Sequence, residues 1–191
     1  MPPSPPPPPP APPPPPPPPP SPPVTPSPPP PPPGPQRYVD EVFTSTNRTS
    51  DVVFGEADRS VGTQTLRMDI YTPVGDTETD RPVFVLAFGG GFTEGSRRDP
   101  LVVSVAQSLA RRGYVTASID YRFFESAPVT EDDADIAIIE AMYDMRAAVR
   151  FLRQDAEGAD VYGTRDDAIF VGGVSSGGIM ASFAGALDLG D

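Results

Sequence analysis

Two apolar runs in this chain break straight into small residues. Pro82-Val83-Phe84-Val85-Leu86-Ala87-Phe88 leads into Gly89-Gly90-Gly91, and Ile169-Phe170-Val171 leads into Gly172-Gly173-Val174-Ser175-Ser176-Gly177-Gly178. A run without polar alternation suits a strand covered on both faces, and such strands belong to parallel sheets sheathed by helices. The segments between the runs carry helical periods. Asp99 and Pro100 suit a helix start, Val102, Val105, Ala106 and Leu109 line one face, and Arg111-Arg112-Gly113 closes it. Thr130-Glu131-Asp132-Asp133 opens a longer helix with the stripe Ile138, Met142, Met145, Val149 and Leu152. Tyr114 to Asp120 reads as a buried strand, and Asp166-Asp167 as a turn before a last strand from Ala168 to Val171. Upstream, Val52-Val53-Phe54 and the alternation Leu66, Met68, Ile70 read as two strands that pair with each other. This alternation of strands and helices predicts the α/β class: a mainly parallel sheet with helices on both faces.

Only residues 37–191 can build that domain. Of the 31 prolines, 27 precede Gln36, in a stretch with no charged side chain and little that could pack. Proline offers no N–H to a helix or a sheet, so residues 1–36 are expected to be a disordered linker in the polyproline II form. A docking ligand for an aromatic groove would need flanking specificity residues, and only Ser4, Ala11, Ser21, Val24, Thr25, Ser27 and Gly34 interrupt the prolines. The formal net charge of −12 falls on the later residues and argues against nucleic acid or an anionic membrane as a partner. Nothing approaches the roughly 20 apolar residues of a bilayer span. Met1 runs directly into proline, with neither the basic nor the apolar region of a signal peptide. A spacer of this kind nevertheless suits an extracellular or envelope-held protein. The acidic residues from Glu131 to Asp135 are what a helix dipole favours in a first turn, so no metal site is read there.

The second glycine-rich segment has the spacing G-x-S-x-G, Gly173-Val174-Ser175-Ser176-Gly177, followed by a helical continuation through Met180, Phe183 and Leu187. A sharp strand-to-helix turn pushes its apical side chain out of the sheet, and the residues on either side must be too small to clash. Ser175 is therefore the candidate nucleophile. Acyl transfer turns a carbonyl oxygen into an oxyanion, which preorganised backbone N–H groups stabilise. Gly90, Gly91 and Ser176 are the candidate donors. No lysine follows either glycine cluster, which excludes a phosphate-binding P-loop. A serine hydroxyl needs a base to become a nucleophile. This chain contains no histidine and no cysteine, and all fourteen of its basic residues are arginine. The nucleophile stands without its base.

In this order the motifs resemble the α/β-hydrolase serine esterases, in the branch that includes feruloyl and acetyl-xylan esterases, carboxylesterases and kynurenine formamidase-like enzymes. The matching residues are Leu66-Arg67-Met68-Asp69-Ile70-Tyr71-Thr72-Pro73, Phe88-Gly89-Gly90-Gly91-Phe92, Ile119-Asp120-Tyr121-Arg122, Arg146 to Leu152 and Ile169 to Gly178. The resemblance implies a serine ester hydrolase that works through an acyl-enzyme on Ser175, with Gly90, Gly91 and Ser176 as the oxyanion hole and no cofactor or metal. Its substrate would be a small-molecule or polysaccharide-linked ester. Two departures stand out. Phe88 occupies the place where the family's glycine loop usually begins with histidine, and the family's acid and catalytic histidine come from later strands than any present here. Residues 37–191 are thus expected to be the N-terminal part of the domain and nearly inert on their own. Two other readings remain: a non-catalytic binding module of the same fold, or a proline-rich wall-associated structural protein. Truncation after the elbow would leave the last strand as an open edge, a route to self-association.

Overall fold

The computed structural model describes residues 1, 3, 4, 34–124 and 130–186. The linker read over residues 1–36 and the position of Leu187 thus lie almost wholly outside the described residues. The elements run β1 (Thr46–Asp58), β2 (Thr63–Pro73), β3 (Arg81–Ala87), α1 (Pro100–Arg111), β4 (Val115–Ile119), α2 (Glu131–Glu157), β5 (Thr164–Gly173) and α3 (Ser176–Ala186). They form one five-stranded sheet in the order β1-β2-β4-β3-β5. β3 and β4 lie inside it, and every residue of β4 is buried, Thr116 and Ser118 by donating to the carbonyls of Ala106 and Arg97.

The sheet is mixed. β4, β3 and β5 are parallel, and the pairs β1/β2 and β2/β4 are antiparallel. As expected, the two upstream strands pair with each other, Val52 opposite Met68 and Gly55 opposite Leu66. From β3 the chain crosses through α1 to β4 on one side of β3, then through α2 to β5 on the other. Parallel crossovers are right-handed, so these opposite steps put α1 on one face and α2 on the other. The core is continuous between the layers and includes Met68, Ile70, Val83, Val85, Ala117 and Ile119.

Thr130 caps α2 as the sequence implies: its hydroxyl accepts from the Asp133 N–H, while the Asp133 carboxylate accepts from the Thr130 N–H at 3.0 Å. Met142, Met145 and Leu152 are buried along the stripe, with Ile138 and Val149 packed at its margin. Three local expectations fail. Asp99 precedes α1 but makes no side-chain cap; its carboxylate accepts from the Ser96 N–H instead. Val105 is exposed, and Ala110 takes its place on the buried face of α1. Asp166 and Asp167 are part of β5 and not a turn before it. The pairing of β5 with β3 jumps from Thr164 opposite Arg81 to Ile169 opposite Val83, so the two aspartates bulge out to solvent.

One buried ion pair ties the loop after β4 to α2. Asp144 is 3% exposed and accepts from the Arg122 N–H at 2.9 Å and from its guanidinium at 2.9 and 3.0 Å. Burial pushes the Asp144 carboxyl up, against the pull of Arg122. Removing Asp144 leaves Arg122 with Glu140, 3.6 Å away, as its ion-pair partner and takes away its closest bonds. Asp144→Ala is expected to cost about 3–5 kcal/mol, read as a lower urea midpoint at unchanged slope.

Candidate active site

β3 and β5 end side by side, with Ala87 opposite Gly173, so the two glycine segments emerge at the same edge of the sheet. That is the carboxyl edge of the parallel strands, where reactive groups collect in open α/β sheets. The sequence between Gly173 and Gly177 makes the turn there. The Val174 N–H donates to the Ala87 carbonyl at 3.0 Å and the Gly177 N–H to the Val174 carbonyl at 2.9 Å. Ser175, at the apex, has φ 51° and an exposed side chain. A non-glycine residue in this region is strained and is held there only by its surroundings.

The surroundings are tight, which explains the two flanking glycines. A Cβ on Gly173 would lie 2.4 Å from the Gly177 carbonyl carbon and 2.8 Å from the Ala87 oxygen. One on Gly177 would lie 2.5 Å from the carbonyl oxygens of both Ala87 and Phe88. The first glycine loop meets the serine directly: a Cβ on Gly89 would sit 3.1 Å from the Ser175 Cβ.

The four residues singled out in the sequence therefore lie together. Ser176 opens α3, so its N–H belongs to the first turn and has no intrahelical acceptor. Gly90 closes the loop on itself, its carbonyl accepting from the N–H groups of Thr93 at 3.1 Å and Glu94 at 3.2 Å. The Gly91 N–H is engaged: it donates to the Ser176 Oγ at 3.1 Å. An open cavity of about 380 Å³ borders the glycine loop, walled by Phe88, Gly89, Gly90 and Val174 from the site and by Glu94 and Leu101 across from it.

Two supports escaped the sequence reading. The first is Tyr121, just past β4, whose buried hydroxyl donates to the Phe88 carbonyl at 3.0 Å and lies 3.4 Å from the Ser176 Oγ. Burial pushes the Tyr121 phenol up, so it stays protonated as a donor. Phe88 stacks on the Tyr121 ring with centroids 4.5 Å apart, and Phe123 meets both rings edge-on. An apolar ring thus fixes the start of the glycine loop where a histidine was expected.

The second support anchors the far end of that loop. Arg97 donates to Asp69 at 3.0 Å and to Asp120 at 2.5 Å, and its guanidinium also bonds Asp51. Arg98 donates to Asp69 at 2.9 Å. Burial would raise the Asp69 carboxyl, but the bonds from Arg98, the Asp51 N–H and Arg97 outweigh it and hold the group at about 2. For Asp120, burial wins over Arg97 and the carboxyl is pushed up. Asp69 was legible as part of a motif. Its partners, 28 and 29 residues away, were not.

Comparison with known proteins agrees with this architecture. The apo form of Thermogutta terrifontis esterase 2 is 28% identical over 69% of this chain and 43% of its own, with a TM-score of 0.51. A native structure described as a thermophilic esterase from the same planctomycete is 26% identical over 73% of this chain and 46% of its own, at 0.52. A truncated carbohydrate esterase from gut microbiota shares the fold at a TM-score of 0.55 and 20% identity, over 78% of this chain and 46% of its own. The chain thus spans less than half the length of these structures. No curated protein matches it by sequence. The BD-FAE family matches residues 68–189, from β2 through the elbow helix. With the sheet order, the elbow and the facing glycine loop in place, the chain belongs to the BD-FAE family of esterase-like α/β-hydrolases.

Proposed function

We propose that this chain is the nucleophile-bearing part of a serine carboxylic ester hydrolase. The observation that carries the reading is Ser175 at positive φ, exposed at the sheet edge, with the Gly89 backbone packed against its Cβ. Ser175 Oγ attacks the ester carbonyl carbon while a base takes its proton. The N–H groups of Gly90 and Ser176 receive the developing oxyanion, while that of Gly91 is taken by the Ser176 Oγ. The C–O bond to the alcohol then breaks, the alcohol leaves with the proton, and water releases the carboxylic acid from Ser175. The base and its acid partner come from residues other than these, since no histidine is present.

Residues 1–36 serve as the spacer and residues 37–191 as the hydrolase portion, outside the cell or in its envelope. The substrate is a small or polysaccharide-linked ester, in keeping with the carbohydrate esterase among the structural neighbours. β5 is the sheet edge, with Phe170 47% exposed, and by itself this portion would self-associate there. Short-chain nitrophenyl esters test the reading: the full-length gene product is expected to turn them over, and residues 1–191 alone to be nearly inert. Equal activity in both would place the base within these residues. Activity in neither would favour a binding module.

A further inference from the structure

The site has a feature that the acyl-transfer reading does not need but that bears on how well it would run. Four groups form a directed chain of hydrogen bonds beneath the glycine loop. The Gly91 N–H donates to Ser176 Oγ at 3.1 Å, Ser176 Oγ lies 3.4 Å from the Tyr121 hydroxyl, and that hydroxyl donates to the Phe88 carbonyl at 3.0 Å. Because the Tyr121 proton is committed to Phe88, the Ser176 proton is the one that points to Tyr121. Each hydroxyl then donates once and accepts once. Both side chains are nearly fully buried, Ser176 at 2% and Tyr121 at 1% exposure, so neither can exchange these partners for water. The chain ends on the residues that bracket Gly89-Gly90, one on each side.

We propose that Ser176 and Tyr121 are positioning residues that clasp the glycine loop onto the elbow, and that the Ser176 side chain, by accepting from the Gly91 N–H, holds the loop and its Gly90 amide beside the nucleophile. This rests on the esterase reading for its catalytic consequence, though not for its existence. Tyr121 is in turn held in register by its neighbour Asp120, which is bonded to Arg97 at the far end of the same loop. The Ser176 residue therefore has two roles: its N–H faces the reaction as the first amide of α3, and its hydroxyl, through Gly91, fixes the loop that carries the Gly90 amide. Neither hydroxyl touches the reacting atoms. Hydrogen bonds in such a chain polarise one another, so losing either member weakens the whole.

The test reads the loop first and turnover second. Amide hydrogen exchange of Gly91 in the 191-residue chain is expected to be slow, to speed up at least tenfold in Ser176→Ala and in Tyr121→Phe, and to stay slow in Ser176→Thr, which keeps the hydroxyl. In the full-length gene product, Ser176→Ala and Tyr121→Phe are each expected to lower kcat by roughly 10- to 100-fold, as a displacement of about 1 Å does. KM should be unchanged, because the clasp acts on transition-state donors and not on substrate binding. The double variant should be no worse than the poorer single one. Unchanged Gly91 exchange in Ser176→Ala would overturn the clasp, as would faster exchange with kcat held within twofold. An inactive parent would instead count against the esterase reading, while the exchange measurement still decides the clasp.

Discussion

Ser175→Ala is expected to lower ester turnover of the full-length gene product by about a millionfold, because in a catalytic unit of this kind loss of the nucleophile costs about as much as loss of the whole triad. What survives should be the modest catalysis of oriented amides acting on bound ester. The fold should not suffer. The Ser175 side chain is exposed and caps nothing, and alanine at φ 51° meets the same backbone strain as serine. A melting temperature within a degree or two of the parent, beside the collapse in kcat, is the expected pair of results. A comparable drop in stability would mean that Ser175 is there to hold the turn.

Gly177→Ala is expected to lower turnover by about a hundredfold, by a different route. Its methyl would lie 2.5 Å from the carbonyl oxygens of Ala87 and Phe88 and 2.7 Å from the Ala87 carbonyl carbon, all backbone atoms. No rotamer relieves such a clash, so α3 and the end of β3 must separate. Overpacking of this sort costs about 1–3 kcal/mol, and a shift of about 1 Å between nucleophile and donors costs on the order of a hundredfold in rate. The damage should fall on kcat and on the urea midpoint together. Gly178→Ala serves as the control, since the nearest atom to its added methyl is the Gly173 oxygen at 3.2 Å, which a small adjustment relieves. Equal behaviour of the two variants would mean that the elbow tolerates looser packing than these distances imply.

Much of this was legible because burial on both faces leaves a simple mark. β3 carries no polar alternation, β4 buries the small hydroxyls Thr116 and Ser118, and both were placed within a residue or so of their observed limits. The elbow was legible for a steric reason: only glycine fits where the Ala87, Gly173 and Gly177 backbones nearly touch. β1 was harder. Its first half, Thr46 to Asp51, is polar and mostly exposed, and it becomes a strand through pairing with β2 rather than through burial. Asp166 and Asp167 were misread because an acidic pair resembles a turn, whereas a bulge in β5 lets both carboxylates reach solvent. The clasp could not be read at all. Ser176 and Tyr121 are 55 residues apart and neither type announces a partner; only the shared carboxyl edge of β4, β3 and β5 brings them together. The one available clue was that Tyr121 follows a buried strand at the edge where the glycines emerge.

Catalysis by this site requires that the hydroxyl at the elbow be the group that attacks. Fluorophosphonates bond covalently to activated serines, so treating the full-length gene product with such a probe and mapping the modified peptide by mass spectrometry asks the question directly. A single adduct on Ser175, absent in Ser175→Ala and barely formed on residues 1–191 alone, is the predicted result. An unmodified Ser175, or an adduct carried by another residue, would contradict it.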